Sequence, residues 1–256
     1  ANLQNTTFDY ATLDHADLRE IVAMNATFIH TEMNYAYLQD AEFNRFSMLE
    51  CDGWCGAANL SNADLFYADL TSAGLRDVDL TNAILYNADL TDVAAEQTNF
   101  TDAILYNADL TNAYLVYADL TDANLYNADL TNADLWGADL TNAYLQYADL
   151  TDAYLQYADL TDANLRCADL IDAHLYNADL AGADFSLADL TSASLYLSNL
   201  TDANFWDADL TFASLINADL TDADFTLATV TNANFNGATW SNTRWIDGNI
   251  YNTNQA

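Results

Sequence analysis

Ala118-Asp119-Leu120-Thr121-Asp122-Ala123-Asn124-Leu125 is the stretch from which the fold can be read. It runs alanine, a polar residue, leucine and two freer residues, and then begins again at once. From Ala58 to Ile250 every position divisible by five is apolar, 39 in all, and the residue two before it is alanine at 33 of 37 positions through Ala238. A period of five matches neither the 3.6 residues of an amphipathic helix nor the 2.0 of a strand. It fits a closed coil in which each pentapeptide makes one side of a four-sided turn, with alanine and leucine pointing inward and the other three residues outward. Such coils stack about 4.8 Å apart, the spacing of hydrogen-bonded strands, and a short internal period marks a solenoid or β-helix.

These residues resemble the pentapeptide repeat family, whose signature is Ala-Asp/Asn-Leu followed by two freer positions, and the match covers nearly the whole chain. The resemblance implies an all-β fold, a right-handed quadrilateral parallel β-helix; the beat itself gives a closed coil but not its hand. Ten pentapeptides have central residues from Leu3 to Met48 and 39 more follow the longer unit after them. Together they predict about 12 coils, a rod of roughly 60 Å. The expected organisation is a single solenoid domain over residues 1–256, with a register slip at 49–57 and a C-terminal plug at 239–256 built on Trp240, Trp245 and Ile250.

The slip falls on Cys51-Asp52-Gly53-Trp54-Cys55-Gly56-Ala57. Central residues at 33, 38, 43 and 48 give way to 60, 65 and 70, a displacement of two residues. The upstream register turns Cys51 inward and the downstream register does the same for Cys55, so the pair reads as core cysteines beside a small bulge, or as a local disulfide or redox pair. Three cysteines are too few for a disulfide framework, and Cys167 is expected to face outward.

The 39 acidic residues face five arginines and no lysine, for a formal charge of −34. Such a surface repels nucleic acid and anionic membranes, and no run of 18 apolar residues offers a membrane span. The chain starts at Ala1 already in register, with neither an initiator methionine nor a targeting segment, as a processed or exported mature chain or a trimmed one would. No compartment is indicated beyond solubility.

Because a coil takes four pentapeptides, residues 20 apart stack in columns. Asp69, Asp89, Asp109, Asp129, Asp149, Asp169, Asp189 and Asp209 form one acidic column, and Asp79, Asp119, Asp139, Asp159, Asp179 and Asp219 form another on the opposite side, interrupted by Asn99 and Asn199. Threonine occupies 15 of the 17 positions spaced by ten from Thr71 to Thr231, as suits stackable β-branched hydroxyls on a flat face. Phe66, Tyr86, Tyr106 and Tyr126 make an aromatic column, and Tyr144, Tyr147, Tyr154 and Tyr157 decorate the middle of the rod. Towards the C-terminus the outward residues Leu187, Tyr196, Leu197, Trp206, Phe212, Ile216 and Leu227 turn apolar. With the tyrosines they form the candidate interaction surface, since tyrosine and clustered exposed apolar groups mark contact sites.

Catalytic chemistry has no sequence signal. His15, His30 and His174 fall in different columns, the acidic columns are alike along their length, and no glycine-rich phosphate loop occurs. No enzyme activity, cofactor or metal site is expected. The reading is a non-catalytic scaffold that presents an acidic, tyrosine-rich rod to protein partners, in a larger assembly or end to end. The alternative is a DNA mimic: about one charge per 1.8 Å of rod approaches the roughly 1.7 Å of duplex DNA. The resemblance implies it too, because some family members confer quinolone resistance by imitating duplex DNA on type II topoisomerases such as gyrase. Unlike those members, this chain has only a short polar tail from Asn249 to Ala256 in place of a helical dimerisation segment.

Overall fold

The computed structural model describes residues 1–24, 26–43 and 57–251, and the pentapeptide at residues 109–113 shows what sets the period. Its five N–H groups are all satisfied. Asp109 donates to the Ala88 carbonyl at 3.0 Å, Leu110 to Asp129 at 2.7 Å and Asn112 to Thr131 at 3.0 Å, all between neighbouring coils, while Ala113 turns back to Leu110 at 2.9 Å. The fifth group, on Thr111, donates to Asp109 Oδ1 at 3.0 Å. An open donor in a packed backbone costs about 1–3 kcal/mol, so the polar residue before each leucine has a defined task as a cap on its own turn.

The turn explains the last position of the repeat. Its third residue has positive φ, 57° at both Asn112 and Asp122, a region that Asn, Asp and Gly enter most cheaply. Inward, the alanines and leucines from Ala58 to Ala223 are almost wholly buried. Each buried leucine contributes on the order of 2 kcal/mol. Where a hydroxyl replaces the inward alanine it finds a carbonyl: Thr98 Oγ1 donates to Leu75 at 2.6 Å and Ser198 Oγ to Leu195 at 2.7 Å. Phe185, Phe205 and Phe225 replace leucine in one column and stack at 5.0 and 4.7 Å.

Parallel bridges such as Asp69 to Asp89 to Asp109 recur every 20 residues and fall in four columns. Each pentapeptide pairs through a single residue before it turns, so the solenoid is built of bridges and turns rather than runs of strand. The described strands are β1 (Thr243–Arg244) and β2 (Ile250–Tyr251), an antiparallel pair. One step is longer. Thr27 pairs with Asn59, Glu32 with Asp64, Tyr37 with Asp69 and Glu42 with Gly74, each 32 residues on. The N–H of Ala58 donates to the Phe43 carbonyl at 2.9 Å, a bond that elsewhere spans three residues. The residues on either side of the interruption are therefore twelve farther apart in sequence than an ordinary coil requires, where the sequence register shows two, because a five-residue beat cannot register two whole pentapeptides. Met48, Cys51, Gly53, Trp54 and Cys55 lie outside the described residues.

At the far end Trp240 and Trp245 are buried against Phe225 and Phe235, with ring centroids 5.1 to 6.5 Å apart. Ile250, expected with them, is 52% exposed. The β1–β2 pairing sets it opposite Arg244 and away from the axis.

The cap is open to test. Asp109→Ala is expected to cost about 1 kcal/mol in urea unfolding, the net worth of one hydrogen bond, whereas Asp109→Asn keeps an acceptor and stays within about 0.5 kcal/mol of the native protein.

Candidate functional site: two aromatic edges

The two residues after each central leucine form a turn, and turns in register stack into edges along the solenoid. One edge follows the column of Leu65 and Leu85. There His15 stacks on Tyr35 at 5.1 Å and Tyr35 on Tyr67 at 5.2 Å, and Phe66 packs edge-on against Tyr67 at 4.5 Å. The run continues through Phe66, Tyr86, Tyr106 and Tyr126 at 5.3, 4.9 and 5.0 Å, then crosses to Tyr147 at 5.3 Å. Ring contact is unbroken from His15 to Tyr147. Electrostatic interaction with the adjacent Cys167, with a hydrogen bond between the two side chains, holds the Tyr147 phenol above its ordinary pKa. Farther along the same edge stand Leu187, Trp206 and Leu227, 37%, 40% and 56% exposed.

A second edge follows the column of Leu75 and Leu115. Tyr117 meets Trp136 at 4.8 Å, Trp136 meets Tyr157 at 5.5 Å, and Tyr157 meets Tyr176 at 5.5 Å, followed by Tyr196 at 5.3 Å. A hydrogen bond that the Tyr176 hydroxyl donates to Tyr157 holds the Tyr176 phenol above its ordinary pKa. Gly137 makes room for this packing, since a Cβ there would lie 2.7 Å from the Tyr117 ring. Leu197 and Ile216 extend the line.

The structure thus divides the candidate surface. Tyr147, Leu187, Trp206 and Leu227 share the first edge, and Tyr157, Tyr196, Leu197 and Ile216 share the second, two bridge columns away in either direction. Phe212 occupies a third turn, while Tyr144 and Tyr154 are bridge residues in opposite columns. Residues ten apart, such as Leu187 and Leu197, are half a coil apart and cannot touch. Counting by 20 misses the crossings from Tyr35 to Phe66 and from Tyr126 to Tyr147, where a ring reaches its neighbour from the adjacent turn position. It also misses the crossings from Tyr117 to Trp136, from Trp136 to Tyr157 and from Tyr157 to Tyr176.

Backbone strain accompanies the exposed apolar groups. Tyr147, Tyr157, Leu187, Leu197, Phe212 and Leu227 all hold positive φ, between 60° and 64°. Bulky residues reach that region at a cost of roughly 1–2 kcal/mol each, and these recover little by burial.

The acids are mainly local in action. Asp69, Asp89, Asp129, Asp149, Asp189 and Asp209 each accept the N–H of the residue two ahead at 2.9 to 3.1 Å, and the Thr71 and Thr81 hydroxyls reinforce the bond at 2.8 and 2.6 Å. Thr101, Thr201 and Thr221 complete their caps in the same way. Arg19, Arg76 and Arg244 pair with Asp17, Glu96 and Asp224 at 2.6, 2.5 and 3.3 Å. His30 stacks on Tyr10 at 5.2 Å and His174 on Tyr154 at 5.1 Å. Among the described residues no group of three or more His, Cys, Asp or Glu is placed to hold a metal ion, and no helix is long and apolar enough to cross a membrane.

Asp169 departs from its column. Burial raises its pKa, and the neighbouring Asp149 and Asp189 add to the effect, while the Ile171 N–H opposes it. A carboxyl with a folded pKa above its unfolded one binds protons more readily in the folded state, so stability rises as pH falls through the folded value towards the unfolded one. Asp169→Asn is expected to raise the melting temperature at pH 7 and to flatten the gain on acidification just above the ordinary carboxylate range, measured by thermal unfolding across pH.

Comparison with known proteins bears on the edges only through the fold that carries them. The family model "Pentapeptide repeats" matches in eight copies between residues 58 and 242. Among solved structures, HetL, a pentapeptide repeat protein involved in heterocyst differentiation regulation from the cyanobacterium Nostoc sp. strain PCC 7120, is 32% identical over 85% of this chain and 92% of its own, with a TM-score of 0.52. The pentapeptide repeat protein Rfr23 from the cyanobacterium Cyanothece 51142 is 28% identical over 44% of this chain and 90% of its own, at a TM-score of 0.43. QnrB1, a plasmid-mediated fluoroquinolone resistance protein, is 19% identical over 93% of this chain and 90% of its own, at 0.38. No curated protein matches the sequence significantly. The likeness to HetL and the family match imply a right-handed β-helix solenoid.

Proposed function

This chain belongs to the pentapeptide repeat family, and from that premise we propose that it is a non-catalytic interaction scaffold, a single four-sided rod of about twelve coils whose aromatic edges dock protein partners. One observation carries the reading. On the first edge Tyr147, Leu187 and Leu227 occupy left-handed turn positions that hold Asn87, Asn107 and Asn127 earlier in the same line, and they remain exposed. A residue that costs backbone strain and stays in contact with water contributes little to the solenoid itself, and strain of this kind gathers where a surface is used. Large apolar and aromatic groups in a line are what a partner interface needs at its centre. HetL is involved in heterocyst differentiation regulation, and a regulatory role of that kind is one an interaction module can fill.

The test separates stability from contact. In the triple variant Tyr147→Asn, Leu187→Asn and Leu227→Asn, the melting temperature is expected to hold or rise, because asparagine suits positive φ. Partner recovery by affinity capture and mass spectrometry is expected to fall at least about tenfold, as for loss of an interface hot spot. Equal recovery by native and variant protein counts against the edge.

A second reading, the DNA mimic, draws on charge density. The formal charge of −34 on a rod of roughly 60 Å approaches the linear charge of duplex DNA. The carboxylates engaged by turn caps are less free than phosphates to receive a partner's basic groups, which favours the scaffold. Supercoiling by purified gyrase, with this protein titrated to tens of micromolar at low and moderate salt, is expected to be unchanged. Inhibition or protection of the enzyme would favour the mimic.

A further inference from the structure

A surface groove of about 340 Å³ lies outside both edges, lined by Asp92, Asn112, Asn132, Tyr114, Asp134 and Tyr154. Its floor is one bridge column. Tyr114 pairs with Asp134 and Asp134 with Tyr154 on successive coils, so two tyrosines, 54% and 45% exposed, stand one rung on either side of a carboxylate. The three remaining residues all come from the adjacent line of turns, each at positive φ, and set a carboxylate and two amides along the rim.

The arrangement is an aromatic ladder with its middle rung missing. Rungs are about 4.8 Å apart, which puts the two tyrosines roughly 9.6 Å from each other. Outward-facing rings stacked on successive rungs of this protein have centroids 4.9 to 5.3 Å apart, as in Tyr86–Tyr106 and Phe66–Tyr86. A flat guest between Tyr114 and Tyr154 therefore sits at the spacing of a native rung. The far side of Tyr154 is already covered by His174, stacked at 5.1 Å, which steadies that wall.

Chemistry selects the guest. Tyrosine at a bridge position gives up the turn cap that aspartate supplies, and two such losses flank the one aspartate that keeps it: Asp134 Oδ1 accepts the Trp136 N–H at 3.2 Å. A cation is attracted to two ring faces and to the carboxylates of Asp134 and Asp92. A flat one can stack on both rings at once and donate to carboxylate and amide oxygens in its own plane, and the guanidinium group is the side chain with those properties. We propose that the Tyr114–Asp134–Tyr154 groove receives an arginine side chain of a partner protein. The partner rests on the scaffold reading; the preference for guanidinium rests on the groove alone.

The probe is N-acetyl-arginine amide, followed by calorimetry and by the NMR shift of its δ-methylene protons. Expected are saturable binding with a Kd on the order of millimolar, as two exposed cation–π contacts and one surface ion pair allow, and an upfield ring-current shift. N-acetyl-lysine amide is expected to bind at least about fivefold more weakly, because it cannot stack. Asp134→Asn should weaken the arginine amide at least about fivefold, and Asp139→Asn, which removes the same formal charge on another column, should change it less than about twofold. Asp134→Tyr fills the rung and should abolish binding while the protein melts at or above the native temperature, which excludes misfolding as the cause. Equal losses in Asp134→Asn and Asp139→Asn, or equal binding of the lysine probe, would each overturn the proposal. If the probe fails while the edge variant still loses its partners, the groove assignment falls and the scaffold stands; if the probe binds while the edge variant keeps its partners, the reverse holds.

Discussion

Five backbone N–H groups must be satisfied within five residues, and everything else in this protein depends on how that is done. Three reach neighbouring coils, one closes the turn and the last is met by a side chain, as Thr111 is met by Asp109 at 3.0 Å. An α-helix or a sheet settles its donors by backbone alone. Here the geometry leaves one over in each repeat, and most repeats carry an acceptor at a fixed place to meet it. That requirement accounts for much of the acidity: aspartate is present because the turn needs a carbonyl-like oxygen, and the charge comes with it.

The same constraint sorts ordinary from extraordinary residues. Where the bridge residue is aspartate or asparagine and the left-handed turn residue is asparagine, aspartate or glycine, the solenoid is meeting its own needs. Tyr114 and Tyr154 forgo the cap. Tyr147, Leu187 and Leu227 take left-handed backbone without the side chain that suits it. These departures lie on lines that the stacking makes continuous, and an isolated exposed leucine would carry no such meaning. The histidines show the opposite case: each finds a tyrosine one rung away and stacks on it.

Stacking also turns a one-dimensional code into a surface. A displacement of 20 residues in sequence is one rung in space, so a substitution communicates with residues 20 before and after it more directly than with its sequence neighbours. Asp169 illustrates this, since Asp149 and Asp189 add to the effect of burial on its carboxyl. Gly137 is another case, its missing side chain being what allows the Tyr117 ring to lie across it.

The repeat by itself determined the inward leucines and alanines, the coil of four pentapeptides and the columns, because one short-range rule applied over and over leaves few alternatives. The acidic columns and the stacked run from Phe66 to Tyr126 were legible for the same reason. Only the tertiary structure decided how many residues the interruption adds, since a period of five is blind to whole pentapeptides, and a bridge from Thr27 to Asn59 is a long-range fact. It alone carried the ring contacts from Tyr126 across to Tyr147. It also left Ile250 exposed beside Arg244 while the tryptophans are buried. In each case the deciding contact joins residues whose spacing is not a multiple of the repeat, and there the side chain's reach and the direction of the chain set the outcome.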